Sequence, residues 1–286
     1  MADTLTRERN QAGAKPSNPT PQVISVTSGK GGVGKTNLSV NLACMLAEAG
    51  KRVVLLDADL GLANVDVMLG LTPEKNLFHL FQEGAQLKDI LLPTPYGFSI
   101  LPASSGVAEM LELHTGQKLD LLEAMDALED SIDFLIVDTG AGINENVLYF
   151  NLAVQERLLV LTPEPTSLTD AYALIKVLKA EHGVQRFRVV VNMAKSMAAA
   201  KEVFSKLHNA CDHFLSGISL DLVGVVPLDP GVRKAVVRQI PFAVMTPNGP
   251  AATALRSVAR KVTSWKGTSQ LDGNIKFFWK KILFQD

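Results

Sequence analysis

An α/β fold, a single doubly wound and mostly parallel sheet with helices on both faces, is predicted by three observations. Short apolar runs of β type alternate with helical segments along most of the 286 residues. Several of these runs are near-continuously apolar rather than alternating, as strands covered on both faces should be. The first run leads into Gly29-Lys30-Gly31-Gly32-Val33-Gly34-Lys35-Thr36, a glycine loop that opens a helix. Alternation of β and α segments gives parallel strands joined by right-handed crossovers. Hydrophobic residues make up 47% of the chain, enough for one large core, so one domain with short extensions fits better than two.

Residues 1–21 are polar and carry Pro16, Pro19 and Pro21, the composition of a flexible N-terminal extension. The domain proper, 22–265, opens with a strand at 23–27. Leu38, Leu42, Met45 and Leu46 keep helical spacing over 35–48. Further strands are predicted at 53–57, 98–101, 134–138, 158–162, 188–192 and 222–226. Thr166 or Ser167 is expected to cap a helix whose apolar side carries Leu168, Ala171, Tyr172 and Ile175. Helical sequence at 250–265 gives way to 266–273, a linker by composition. The last segment, 274–286, aligns Ile275, Phe278, Trp279, Ile282 and Leu283 when drawn as a helix, with Lys276, Lys280 and Lys281 off that stripe. At 1.5 Å per residue it is about 20 Å long, too short for a bilayer core of about 30 Å. Its bulky apolar groups and lysines suit an anionic membrane surface instead. The alternative is a groove in its own domain.

Composition narrows the function classes. A formal net charge of −1 gives no global field for nucleic acid, so direct DNA binding is not expected. Two cysteines, Cys44 and Cys211, exclude a disulfide framework and a closed four-cysteine zinc site. The five histidines show no metal-ligand spacing beyond a weak His208/His213 pair. No apolar signal segment precedes the domain and no stretch is long enough to span a bilayer. The expected location is the cytoplasm, with the terminal helix offering a peripheral contact to the inner face of the cell membrane.

The glycine loop carries the chemistry. It satisfies G-x-x-x-x-G-K-[ST], whose chance occurrence in a chain of this length is on the order of one in a hundred. Glycines let successive backbone N–H groups point at phosphate oxygens, Lys35 reaches the β/γ-phosphates, and Thr36 offers its hydroxyl to Mg²⁺. ATP and Mg²⁺ are the cofactors this implies. Ligands of a doubly wound sheet sit at the carboxyl ends of its strands. There the second strand ends in Asp57-Ala58-Asp59, with Asp66 further on read as turn chemistry. The run Phe134-Leu135-Ile136-Val137-Asp138 has the Walker B form, so Asp138 would hold Mg²⁺ through a water. Asn192, at another strand end, has an amide that can donate and accept toward the N6/N7 edge of adenine.

The run Lys30 to Thr36, KGGVGKT, resembles the deviant Walker A motif of the MinD/ParA family of P-loop ATPases, over roughly residues 22–262. The resemblance implies that Lys30 reaches the partner's phosphates in an ATP-dependent homodimer and that Lys30, Lys35 and Asp59 carry catalysis. It implies that Asp59 orients the attacking water and that Asp57, with Thr36 and Asp138, serves the Mg²⁺ shell. Thr139-Gly140-Ala141-Gly142 is similar to the family's second switch. Gly29, Lys30, Gly31, Gly32, Val33, Gly34, Lys35, Thr36 and Asn37 would cradle the nucleotide phosphates. Asn37 stands where relatives have Thr or Ser. Asn192, Pro227, Leu228 and Asp229 would enclose the base. Residues 55–66 and 164–176 look like the flagellar branch of the family, FleN/FlhG. That likeness implies a slow regulatory ATPase controlling flagellar number or placement, acting on an FlhF-type GTPase and a FleQ-type activator. Division-site MinD and DNA-segregating ParA are the rival assignments. The N-terminal D-Q-A-x-x-L-R motif of the branch is only partly present, since Asn10-Gln11-Ala12 keeps Gln and Ala but lacks the Asp, Leu and Arg.

Overall fold

A computed structural model of the chain describes residues 21–59, 64–76, 79, 86–102, 123, 128, 131–265 and 275–283. The expected N-terminal extension, but for Pro21, and the 266–273 linker lie outside them. The described strands are β1 (Gln22–Ser28), β2 (Val53–Ala58), β3 (Leu92–Pro93), β4 (Ser99–Pro102), β5 (Phe134–Ala141), β6 (Glu156–Leu161), β7 (Arg186–Ala194) and β8 (Ser219–Pro227). They form one sheet in the order β3-β4-β2-β5-β1-β6-β7-β8. Every pairing is parallel except β3 with β4, where Leu92 faces Ile100. All seven predicted strands exist, some longer than the apolar run that marked them. The edge strand β3 was not predicted, because two residues carry no periodic signal.

The described helices are α1 (Lys35–Glu48), α2 (Val65–Leu69), α3 (Leu87–Ile90), α4 (Glu145–Ala153), α5 (Pro165–His182), α6 (Met197–Phe214), α7 (Pro230–Val237), α8 (Phe242–Met245), α9 (Pro250–Ser264) and α10 (Ile275–Leu283). Strand residues alternate between two cores, which is why their sequence is apolar throughout. Ile24, Val26, Leu55, Ile136, Leu158 and Val160 pack with α1 and α9 on one face. Val23, Val54, Leu56, Leu135 and Val137 pack with α4 and α10 on the other, and Leu159, Leu161, Val189 and Val191 with α5 and α6. α9 shows how sequence sets a layer. Pro250 occupies the first turn, where its missing N–H costs nothing, and Ala251, Leu255, Val258 and Val262 form the buried stripe.

One expectation changes. α5 begins at Pro165 with Glu164 as its N-cap residue, not at Thr166 or Ser167. Pro165 is pre-set for the first turn, and the Ser167 hydroxyl is already committed to the N–H of Thr162 at 3.0 Å. The terminal stripe follows its second alternative, a groove in its own domain, at the three members whose side chains are described. Phe278, Trp279 and Ile282 are fully buried, with Phe278 stacked on Phe150 at 6.3 Å between ring centroids. The Tyr149 hydroxyl donates to the carbonyl of Lys281 at 2.9 Å, while Lys280 and Lys281 stay exposed. Burial of each large side chain contributes about 1.5–3 kcal/mol, so an available groove outcompetes water. No helix among the described residues is long and apolar enough to cross a membrane.

Candidate nucleotide site

The glycine loop bridges the end of β1 and the start of α1 at the centre of the sheet. Gly29 is obligatory for packing, because a Cβ there would lie 2.0 Å from the carbonyl oxygen of Asp170 in α5. Gly34 is the N-cap residue of α1 at φ 90°, and a Cβ would lie 2.5 Å from the Asn192 amide nitrogen. Gly31 and Gly32 form the exposed crest of the loop, and Val33 is buried beneath it. α1 has neither a capping side-chain hydrogen bond nor an acid in its first turn, so its N-terminal N–H groups present positive potential to an anion. Lys35 is buried, and burial lowers its pKa against the opposing charges of Asp138 and Asp59. Lys30 is held elsewhere. Its Nζ bonds Glu164 Oε2 at 2.9 Å and Thr166 Oγ1 at 2.7 Å, at the start of α5.

The three expected acids converge, with different roles. β2 and β5 are in register so that Asp57 stands beside Asp138. Asp138 is sealed from solvent. One oxygen accepts from the Ser39 hydroxyl at 2.8 Å, Thr36 also bonds the carboxylate, and Oδ2 has no partner among the described residues. Burial, with the Asp57 charge adding to it, raises its pKa to about 7. An orphaned buried carboxylate oxygen beside Thr36 fits the oxygen-donor shell of a partly hydrated Mg²⁺. Asp57 is pushed up to about 6, also by burial, but both of its oxygens are engaged. Oδ1 accepts from the Asp59 N–H, and Oδ2 from the N–H groups of Asn64 and Val65 at 3.0 and 3.1 Å. Asp57 therefore organises the segment leading to α2, a job the metal-shell expectation did not include. Asp59 is partly exposed and its carboxylate lies beside Gly140. β5 runs on to Ala141, so the segment similar to a switch starts as strand, with the Thr139 hydroxyl donating to the Val26 carbonyl.

Beyond the loop opens a mostly apolar cavity of about 260 Å³. Asn37, Asn192, Met193, Val226, Pro227, Leu228, Asp229, Val232, Arg233, Val236 and Phe242 line it. All the residues expected around the base are present. Among them, Asn192 Nδ2 donates to the Val33 carbonyl at 2.8 Å. That bond uses one of the two amide N–H groups, so the side chain keeps a second donor and the Oδ1 acceptor. Asn37 sits in the first turn of α1 and accepts from Asn41 Nδ2, and Asn41 Oδ1 in turn accepts from the N–H of Ala243 in α8. Asp229 caps α7 through the Gly231 N–H at 2.8 Å.

Several residues escaped sequence reasoning. Ser39, one turn after Lys35, was detectable as a polar residue on the buried side of α1. Glu164 was detectable as an acid at a strand end next to proline. Asn151 bonds both Ser25 and Thr27 and fixes α4 against β1, for which the sequence carries no local signal. Cys44 and Cys211 are buried in separate cores, and no cluster of metal-ligating residues occurs among the described residues.

The family model described as ParA, NUBPL iron-transfer P-loop NTPase, matches residues 20–263. The chain is 49% identical to the antiactivator FleN of Pseudomonas aeruginosa over 262 residues, 92% of this chain and 93% of that protein. It is 30% identical to the flagellum site-determining protein YlxH of Helicobacter pylori, over 91% of this chain and 89% of that one. Among solved structures, the septum site-determining protein MinD of Pyrococcus horikoshii, complexed with Mg-ADP, aligns with a TM-score of 0.65 at 25% identity. That alignment covers 87% of this chain and all of the other.

Proposed function

The chain belongs to the ParA/MinD family of P-loop NTPases, and on that premise we propose that it is an ATP-driven dimerising switch that regulates flagellar number or placement. The observation that carries the flagellar part is the 49% identity to an antiactivator across nearly the whole of both chains. The observation that supports the ATPase part is the meeting of Lys35, Thr36, Asp138 and Asp59 at one loop. In this reading Lys35 and the α1 N-terminus would neutralise the phosphates, and Thr36 and Asp138 would hold Mg²⁺, which would supply further positive charge to the phosphates. Asp57 sets the segment that carries Asp59, and Asp59 orients the attacking water. Turnover is slow because regulation requires a long-lived ATP state. Lys30 leaves Glu164 and Thr166 to reach across to the phosphates of a second copy. FlhF-type GTPases and FleQ-type activators are the proposed partners, in the cytoplasm.

Deleting the gene tests the assignment. The expected result is altered flagellar number or placement with near-normal division. Minicells with unchanged flagella would move the assignment to the division-site branch.

The docked helix adds a second element. We propose that ATP-dependent dimerisation frees α10 for an anionic membrane surface. The Trp279 indole N–H supports this, because it is buried without an acceptor among the described residues, a cost that weakens the docked state. Sedimentation with anionic liposomes should rise with ATP and be lost on truncation after Gly273. Equal sedimentation of both forms leaves α10 a structural helix.

A further inference from the structure

Among the described residues, two that are not glycine hold a left-handed backbone, Met193 and Gln239, each at φ 55°. Both flank the base pocket. Met193 lines it directly, and Gln239 stands two residues beyond α7, whose Val232, Arg233 and Val236 line the same pocket. α7 closes in a reversed turn, with the Gln239 N–H donating to Val236 at 3.0 Å and the Ile240 N–H to Ala235 at 3.1 Å. Glycine is the usual residue at that point, because an L side chain is disfavoured at positive φ.

The glutamine side chain has a specific partner. Its Nε2 donates to the carbonyl of Val67 in α2 at 2.6 Å. Its Oε1 lies against Gly70, which ends α2 in a left-handed turn of its own. The other end of α2 is tied to the acids, since the N–H groups of Asn64 and Val65 donate to Asp57 Oδ2. α7, Gln239, α2 and Asp57 thus connect the base pocket to the strand end that bears Asp59.

We propose that Gln239 is a positioning residue that couples base occupancy to the Asp57 and Asp59 strand end, so that an adenine-type base holds Asp59 in its working position. This rests on the ATPase reading of the same site. Unfavourable backbone kept beside a ligand pocket is a recurrent mark of function. A helix cap without coupling would be served at least as well by glycine.

The test uses full-length protein carrying Gln239→Gly or Gln239→Asn. Glycine relieves the backbone and removes the side chain. Asparagine tolerates the left-handed region but falls short of Val67. Hydrogen exchange at the Asn64 and Val65 amides is measured with a non-hydrolysable ATP analogue and with inorganic tripolyphosphate, which carries no base. In the wild-type protein the analogue should slow exchange about fivefold or more beyond tripolyphosphate. Both variants should bind the analogue normally and lose that difference, with kcat for ATP down about fivefold at unchanged KM. A variant that keeps both the difference and kcat overturns the proposal, as does equal protection by the two ligands in the wild type. Failure of the wild type to bind the analogue is distinguishable from these, and removes the ATPase reading together with the proposal.

Discussion

The glycine loop and the apolar cavity beside it, the proposed phosphate and base ends of the site, are built by different means. The phosphate end is one contiguous loop, residues 29–36, with Asp57 and Asp138 aligned by the register of β2 and β5 and Asp59 just beyond the end of β2. Its groups are charged, largely buried and held by short bonds. The base end is assembled from α1, β7, β8, α7 and α8, by residues scattered between Gly34 and Phe242, and most of its lining is apolar. Dry, charged groups act strongly and singly, because low dielectric magnifies each interaction and each desolvation cost. An apolar cavity spreads its contribution over many contacts, so that no single one dominates. Asn192 belongs to both ends, lining the cavity while its amide nitrogen donates to the loop carbonyl of Val33.

The sharpest way to break this comparison is a pair of substitutions. Lys35→Ala should lower ATP turnover by on the order of 10²–10³, as loss of one preorganised charge at a developing anion does. Asn192→Ala should cost about tenfold, the scale of a single buried hydrogen bond, and should narrow the preference for ATP over GTP. Steady-state kinetics with both nucleotides decides it. Equal losses from the two substitutions would mean that the halves are not energetically distinct.

A smaller effect comes from pH. Asp138 and Asp57 ionise near 7 and 6 in the fold, against about 3.8 for an ordinary aspartate. With folded values above unfolded ones, the native state binds more protons between about pH 4 and 7. Without metal, stability should therefore fall as pH rises through that window and level off above it. Asp138→Asn should flatten the fall, and Mg²⁺ with nucleotide should oppose it. Thermal unfolding from pH 5 to 8 measures this, and a melting temperature that rises across the window contradicts the burial argument.

The same contrast explains what was legible in the sequence. The loop, the Walker B strand and the acids of β2 could be read because each is a local pattern of residue types in fixed order. Doubly covered strands could be read for the same reason, as runs with no polar break. The proposed base pocket was visible only at Asn192 and the residues 227–229, since Val232, Val236 and Phe242 look like any core residues until the chain folds. The bond from Asn192 to Val33 spans 159 residues, and that from Gln239 to Val67 spans 172. No local spacing encodes either. The stripe of α10 is visible in its periodicity, but what covers it depends on the shape of the surface of α4 and β1, which periodicity does not report.

The central claim, that nucleotide state sets assembly, is tested most directly by the mass of the Asp59→Ala protein in solution. On the proposed reading this change would misplace the water while leaving the γ-phosphate and Lys30 untouched, so the ATP form should accumulate. Multi-angle light scattering should give twice the 30.8 kDa chain mass with ATP and the single-chain mass with ADP or no nucleotide. Adding Lys35→Ala should return the ATP sample to the single-chain mass. The same mass under all three conditions in the Asp59→Ala protein would contradict the account.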